Sequence, residues 1–344
     1  MTSDHSPQED AAPRDLARWA LHCFAPTARR TPHALVAEGD NGRLLYEARA
    51  GTTVTELARR GVRCTDDQLQ LLAEFGLVER RGDTVRTAFP VLGPATMRAL
   101  RERLGALAHR TAESAEAEAR ALGAELARQG LADSTYAVVF GHALDGLLWD
   151  RLAVPDTALS PQRPWWNGAF WALHPAREGA AGTNFVDCDG ATLTLVWTPA
   201  TTDRLAALAD APGLRAAARS LTGHGHPDRP AGVTDRNGRT WRLRRPDGRP
   251  ALPVVGTGGP LDRHARRLAD RAADALSGPE ATAAGALVSP DHRIATVVIA
   301  HEFIWDVAHH LTAAGACPLP PAMRRPPAEA DTLLDLLFLR VDRR

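Results

Sequence analysis

The sequence TVTELARRGVRCTDDQLQLLAEFGLVERRGDTVRTAFPVL, from Thr53 to Leu92, changes its apolar spacing partway along. Apolar residues in TELARRG and then in QLQLLAEFGL repeat at helical intervals, and Gly76 follows where a helix is expected to stop. Beyond that glycine, LVERR and TVRTAF are separated by Gly82 and Asp83, which is the composition of a tight turn. The stretch therefore predicts two helices followed by a two-stranded hairpin.

This order of elements resembles the second half of a winged-helix domain, with Asp15 to Phe24 as its first helix. The resemblance assigns residues 14–93 to such a domain, about a quarter of the chain. It implies that the second helix reads a DNA groove while the hairpin, or wing, contacts the backbone. The candidate contacts to double-stranded DNA are Gln68, Gln70, Arg80, Arg81 and Arg86.

The start of the second helix also favours another use of the same fold. Thr65 is a good N-cap, and Asp66 and Asp67 suit the positive end of a helix, but both carboxylates would oppose phosphate on a DNA-reading surface. A winged helix that contacts protein or forms a dimer is therefore an open alternative.

Composition excludes several kinds of chemistry. All 41 basic residues are arginine, so Schiff-base and P-loop lysine chemistry cannot occur in this chain. The 41 acidic residues balance them, which leaves no overall field for nucleic acid or membrane. The four cysteines, Cys23, Cys64, Cys188 and Cys317, are too far apart for a zinc knuckle and are expected to be buried free thiols. We predict neither a metal site nor a cofactor.

The N-terminus indicates where the protein acts. The first 15 residues, MTSDHSPQEDAAPRD, contain no apolar run, and no segment approaches the roughly 18 apolar residues of a membrane helix. We therefore predict a cytoplasmic protein without membrane contact. Residues 1–13 are predicted to be a disordered tail.

Residues 94–132 are predicted to be a connecting helix that begins at Pro94 and ends near Gly130. An apolar stripe formed by Leu100, Leu104, Leu107, Leu122 and Leu126 runs along it. This stripe supports either a homodimer or packing within the chain.

Residues 133–344 are predicted to form an α+β domain with antiparallel hairpins, which makes the whole chain α+β. Hairpins are indicated by the turn signals Asp189-Gly190 and Asn237-Gly238. Residues 160–182 form a loop rich in Pro, Gly and Trp. The predicted helices of this domain are Tyr136 to Leu152, Pro199 to Leu221, Leu261 to Leu276 and Ile294 to Ala314.

Two helices and a loop in this domain carry candidate ligand-binding residues. In HEFIWDVAHHL, Glu302, Asp306 and His309 follow a helical spacing together with His301. A polar helix face with a contact between Asp306 and His309 is the favoured alternative explanation. In FGHALDGLLWD, a second set with one helical face is His142, Asp145 and Trp149. If the two helices pack together, both sets line one ligand pocket, and ordinary packing of two helices is the alternative. Aromatic residues that wall an apolar ligand are predicted at Trp165, Trp166 and Trp171.

The sequence interpretation is a bacterial-type, winged-helix transcription regulator whose C-terminal domain senses a small molecule. The alternative is an enzyme or biosynthetic accessory protein that uses the His, Glu and Asp residues as an acid-base site, with the winged helix docking a partner. A third interpretation is a protein-interaction module with neither activity.

Overall fold

Helices and antiparallel hairpins make up this chain, which confirms the α+β class. A computed structural model describes residue 16 and residues 19–24, 32–152, 169–224, 232–324 and 330–341. The predicted tail at residues 1–13 lies outside them. None of the helices in the described part of the chain is long and apolar enough to cross a membrane.

The α-helices are α1 Pro32–Ala37, α2 Asn41–Glu47, α3 Val54–Arg59, α4 Asp66–Glu74, α5 Pro94–Arg128, α6 Leu148–Arg151, α7 Thr202–Ala209, α8 Leu214–Arg219, α9 Pro260–Leu276, α10 Pro279–Gly285, α11 His292–Ala313 and α12 Pro321–Arg324. The strands are β1 Trp19–Phe24, β2 Thr52–Thr53, β3 Val78–Arg81, β4 Thr84–Thr87, β5 Ala169–Pro175, β6 Gly182–Asp187, β7 Ala191–Trp197, β8 Gly232–Thr234, β9 Thr240–Arg242, β10 Val254–Gly256 and β11 Leu337–Val341. Ala137–Leu147 and Ser220–His224 are π-helical, and Ala132–Ser134 and Ala330–Leu336 are short 3-10 helices.

The chain divides into two compact units. Unit 1 comprises Met1–Arg101, Pro155–Glu178 and Ala284–Val298, and unit 2 comprises Glu102–Val154, Gly179–Ala283 and Ile299–Arg344.

In unit 1, the two helices and the hairpin predicted from the opening stretch are confirmed as α3, α4 and β3–β4. Strand β4 lies between β2 and β3 in an antiparallel sheet, and Gly82 adopts a φ of 64° at the hairpin turn. Leu57, Leu72 and Val85 are fully buried in the core that these elements share. The periodic apolar residues therefore form the core of this unit.

The predicted helix from Asp15 to Phe24 is wrong. Residues from Trp19 to Phe24 form β1, which pairs antiparallel with β5. Strand β5 in turn exchanges backbone hydrogen bonds with Pro90 and Leu92, directly after the wing. The prediction of a loop at residues 160–182 is wrong for β5, whose residues are extended because they pair with the distant strand β1.

In unit 2, a four-stranded sheet has the order β10-β11-β7-β6, with β10 parallel to β11 and the other pairs antiparallel. The predicted hairpin between β6 and β7 is confirmed, with Asp189 at φ 54° and Gly190 at φ 89°. The π-helical segment Ala137–Leu147 packs on this sheet, and Gly141 permits the contact. A Cβ atom at Gly141 would lie 2.7 Å from Val196 and 2.9 Å from Phe338.

Three other predicted elements differ in detail. The predicted helix from Pro199 to Leu221 is broken into α7 and α8, with Gly213 at φ 82° between them. The hairpin of β8 and β9 is present, but its turn is longer than two residues because Asp235 and Arg239 close the loop. Tyr136 to Leu152 is helical as predicted, although most of it is π-helical.

Helix α5 begins at Pro94, as predicted, and is continuous to Arg128. Its apolar stripe is buried within the chain, with Leu104 and Leu122 fully inaccessible. The stripe is therefore not an exposed surface for a second copy, and the homodimer prediction loses the observation that motivated it. In unit 2 the helix is tied to α9 by Glu118, which accepts hydrogen bonds from His264 and Arg267.

Candidate ligand-binding site

Asp145 lies at the centre of a polar and aromatic cluster in unit 2. It is buried in the π-helical segment, and each carboxylate oxygen accepts a hydrogen bond. Trp149 Nε1 donates to Oδ1 at 3.1 Å, and Thr183 Oγ1 on β6 donates to Oδ2 at 2.8 Å. The carboxylate is therefore held in a fixed orientation between a helix and the sheet.

The electrostatic setting of Asp145 combines burial with a nearby imidazole. Burial raises the pKa of Asp145, because the charged form loses its hydration. His301 on α11 opposes this rise, and so do the hydrogen bonds that the carboxylate accepts. Asp145 is thus a buried carboxylate whose pKa is raised by burial and lowered by the nearby His301 imidazole.

Two indole rings flank His301, which is itself only half-buried. Its ring centroid lies 4.8 Å from that of Trp149 and 6.1 Å from that of Trp305. Trp305 is fixed by a hydrogen bond of 2.8 Å from Nε1 to the carbonyl oxygen of Ala181. An imidazole that solvent reaches, beside two tilted indole rings, can bind a planar or cationic group and can exchange a proton with it.

His142, which was predicted to share a helical face with Asp145, contacts a different carboxylate. His142 Nε2 lies 3.1 Å from Asp262 Oδ1 on α9. The helix here is π-helical, and each of its residues turns through less than the roughly 100° of an α-helix. Three steps along it therefore separate His142 from Asp145 more than the α-helical pattern predicts.

The Asp262 carboxylate gives the buried His142 imidazole a hydrogen-bond partner. Burial acts to raise the pKa of Asp262, but the hydrogen bonds from His142 and Arg266 lower it well below its usual range. The backbone N–H of Gly258 donates a further bond at 2.8 Å. Asp262 is thus a charged anchor between helices, and His142 is one of its donors.

Helix α11 places Glu302, Asp306 and His309 in three different environments. Glu302 is fully buried, Asp306 is half-buried and His309 is exposed. A uniformly solvated polar face is therefore wrong for this helix. His309 instead contacts His310, whose ring lies 4.9 Å from that of His109 on α5.

Of the four tryptophans among the candidate ligand-binding residues, the structure brings Trp149 to the Asp145 cluster. Trp165 and Trp166 lie outside the described residues, and Trp171 is described only as a backbone position in β5. Sequence analysis did not identify Thr183 as a contact of Asp145. Trp305 was not among the candidate ligand-binding residues of its helix.

In unit 1, most of the residues predicted to contact DNA make contacts within the protein. Gln68 completes a capping box with Thr65 and donates to Asn41 Oδ1. Gln70 donates to Glu74 at 3.1 Å. These two amides therefore stabilise helix α4.

The three wing arginines are not equivalent. Arg80 Nη2 lies 2.6 Å from Asp66 Oδ1, and Arg80 Nε donates to the carbonyl oxygen of Gly82. Arg81 and Arg86 are exposed on β3 and β4. Arg80 is therefore paired with an acidic residue at the start of α4, whereas Arg81 and Arg86 are exposed.

No protein-family model, curated protein or solved structure matches this chain. The candidate site is therefore defined by the contacts of its own residues.

Proposed function

We propose that this protein is a winged-helix transcription regulator whose unit 2 binds a small molecule. The observation that carries the proposal is the order α2, β2, α3, α4, β3, β4, with the strands paired as β2-β4-β3. A helix, two further helices and a wing in this order are typical of winged-helix domains.

The charge distribution supports contact with the DNA backbone rather than reading of bases. Arg81 and Arg86 are exposed on the wing and suit phosphate oxygens. Gln68 is held by Thr65 and Asn41, so it has little freedom to meet a base edge. We therefore propose that the wing positions the protein on the duplex and that sequence preference arises elsewhere.

Ligand binding is proposed at the cluster of Asp145, Trp149 and His301. The aromatic faces favour a planar ligand, and the buried carboxylate favours one that carries a positive charge or a hydrogen-bond donor. A ligand of this kind would alter the regulator by binding one conformation better than another.

The DNA part of the proposal is tested by retardation of genomic DNA fragments at low salt. The double substitution Arg81→Ala and Arg86→Ala should weaken binding at least about tenfold on every fragment, because phosphate contacts carry no sequence preference. Arg98→Ala is the matched control, because Arg98 is an exposed arginine of unit 1 on α5. If the unsubstituted protein retards no fragment, the proposal that it binds DNA is wrong.

The ligand part is tested by a thermal-shift screen of small cationic and planar metabolites. Trp149→Phe and His301→Gln should abolish a shift that the unsubstituted protein shows. Phe185→Ser should retain the shift, because Phe185 is 51% exposed on β6 and is not part of the cluster.

A second function is favoured by the acidic start of α4. Asp66 is 83% exposed beside Arg80, and such a pair suits a protein partner better than a phosphate backbone. In this alternative the winged helix docks a partner, and Asp145 with His301 performs acid-base chemistry on a substrate. If a ligand raises the melting temperature of the unsubstituted protein but the protein does not retard DNA, the result would support this second function over the first.

A further inference from the structure

Both indole N–H groups beside His301 donate hydrogen bonds within unit 2. Trp149 Nε1 donates to Asp145 Oδ1 at 3.1 Å, and Trp305 Nε1 donates to the carbonyl oxygen of Ala181 at 2.8 Å. The indole nitrogen is the one hydrogen-bond donor of a tryptophan side chain, and it does not accept. The two tryptophans therefore offer a ligand their ring faces and carbon edges.

Trp149, His301 and Trp305 form a partly exposed aromatic surface. The His301 ring is inclined by 46° to that of Trp149 and by 55° to that of Trp305, so the three rings are not stacked in parallel. The face of an indole ring is negative, and it attracts a cation more strongly than the face of a tyrosine or phenylalanine ring does.

Asp145 is joined to this aromatic surface through Trp149 and is 8% exposed. Its second oxygen, Oδ2, accepts a hydrogen bond of 2.8 Å from Thr183 Oγ1. Because each oxygen already accepts a hydrogen bond and the group is buried, a ligand on the aromatic surface would sense the charge of this carboxylate rather than pair with it directly.

A buried carboxylate favours a cation nearby. Burial disfavours the ionised form of Asp145, and a positive charge held close to it offsets that cost. The carboxylate and the indole faces therefore act in the same direction on a charged ligand.

The kind of cation follows from the hydrogen bonding. A primary ammonium or a guanidinium carries N–H donors, which need acceptors once they leave water. The Asp145 oxygens and the Ala181 carbonyl oxygen already accept from the protein. A quaternary ammonium group has no N–H donor, and aromatic faces are a usual way of binding it.

We propose that the aromatic surface of Trp149, His301 and Trp305 binds a quaternary ammonium group, and that the negative charge of Asp145 favours this cation over a neutral group of the same shape. This inference rests on the proposed ligand-binding function of unit 2. It narrows the ligand from any planar or cationic compound to one chemical class.

The proposal is tested by isothermal titration of the unsubstituted protein with three probes. Choline carries a quaternary ammonium, 3,3-dimethylbutan-1-ol has the same shape without the charge, and ethanolamine has the charge together with N–H donors. We expect choline to bind at one site per chain and at least about tenfold more tightly than either analogue. Equal or tighter binding of an analogue, or no binding of choline at millimolar concentration, would overturn the proposal.

Substitutions at Trp305 separate the aromatic face from simple apolar contact. Trp305→Leu should weaken choline binding at least about fivefold, whereas Trp305→Phe should retain most of it, because phenylalanine keeps an aromatic face. Equal choline affinities in the two variants would contradict a role for the ring face.

Asp145→Asn tests the charge at nearly constant shape. The Thr183 hydroxyl can accept as well as donate, so an amide at position 145 can keep both hydrogen bonds. We expect choline binding to weaken at least about tenfold and to approach that of the neutral alcohol. Asp203→Asn is the matched control, because Asp203 is an exposed aspartate of unit 2 on α7 and should leave choline binding unchanged. Equal effects of the two substitutions would overturn the role of Asp145.

Circular dichroism is recorded for each variant, and if Asp145→Asn does not fold, the three probes and the Trp305 pair decide the result. The failure of this proposal is distinct from that of the ligand site itself. A neutral planar compound that gives a thermal shift, lost in Trp149→Phe and His301→Gln, would retain the ligand site and, with equal binding of choline and its neutral analogue, reject the quaternary ammonium class. If no compound, choline included, changes the melting temperature or gives a heat of binding, both proposals are wrong.

Discussion

Asp335 shows how strongly the fold changes the chemistry of a single carboxyl group. It is half-buried in the 3-10 helix Ala330–Leu336. Burial and the negative charge of Asp133 raise its pKa to about 7. In the unfolded chain the same group has a pKa of about 3.9. The folded protein therefore retains a proton that the unfolded chain releases, and Asp335 costs stability increasingly as the pH rises from about 4 to about 7.

Asp335→Asn should remove this pH-dependent cost. We expect the variant to match the unsubstituted protein near pH 4 and to be more stable by about 1–3 kcal/mol at pH 8. Urea unfolding at both pH values measures the difference. An equal gain at both pH values would contradict the assigned pKa.

At the same scale, the residues of the candidate site were recognised by type, and a pocket shared by their two helices was a hypothesis that helical spacing alone could not establish. Asp145, Trp149 and His301 were all named from their helical patterns. The helical spacing correctly brought Trp149 close to Asp145. It could not show that α11 places His301 beside them, or that Thr183 donates from β6, because these contacts join distant parts of the chain.

At the scale of elements, signals that act within a few residues predicted the structure well. The N-cap at Thr65, the turn at Gly82 and the Asp189-Gly190 hairpin each depend on local backbone geometry. Helices α9 and α11 were predicted for the same reason.

Elements that depend on distant partners were not predicted. Strand β1 pairs with β5, and β10 lies parallel to β11. No short turn joins the two strands of either pair, so the sequence contains no turn signal for them. The π-helical segment was also missed, because its apolar sequence reads the same as that of an α-helix. A sheet pairing between such distant parts of the chain is fixed by tertiary packing, which local propensity does not encode.

Gly141→Ala should show how closely the π-helical segment packs on the sheet. The added methyl would lie 2.7 Å from Val196 and 2.9 Å from Phe338, so we expect a loss of about 1–3 kcal/mol in the free energy of unfolding. Gly105→Ala on α5 is the control, because its added methyl has no atom within 4 Å. It should stabilise the protein by up to about 1 kcal/mol. Similar losses in both variants would show that packing on the sheet is not the cause.

Thr65→Ala should destabilise α4 by removing its cap. The Thr65 hydroxyl accepts a hydrogen bond of 3.2 Å from the backbone N–H of Gln68. We expect a loss of about 1 kcal/mol in the free energy of unfolding, and Thr65→Ser should retain most of the stability. Equal losses from the two substitutions would contradict the capping role.

At the scale of the whole molecule, the charges balance. The 41 arginines and 41 acidic residues give a net charge of zero at pH 7 with histidine neutral. No long-range field therefore draws the protein to a polyanion, and any binding to DNA must come from local contacts. The acidic residues at the start of α4 reduce the positive charge there further, because Asp66 is paired with Arg80.

This balance makes the salt dependence of DNA binding a quantitative test. If Arg81 and Arg86 are the cations that meet phosphate, the logarithm of the binding constant should fall against the logarithm of salt with a slope of about −2 per chain. Each single substitution to alanine should reduce the magnitude of that slope by about 1, whereas Arg98→Ala should leave it unchanged. Fluorescence anisotropy of a labelled duplex between low and physiological salt measures the slope. A much steeper slope that neither wing substitution alters would mean that other arginines meet the phosphates, and the wing would then not be the DNA-contacting surface.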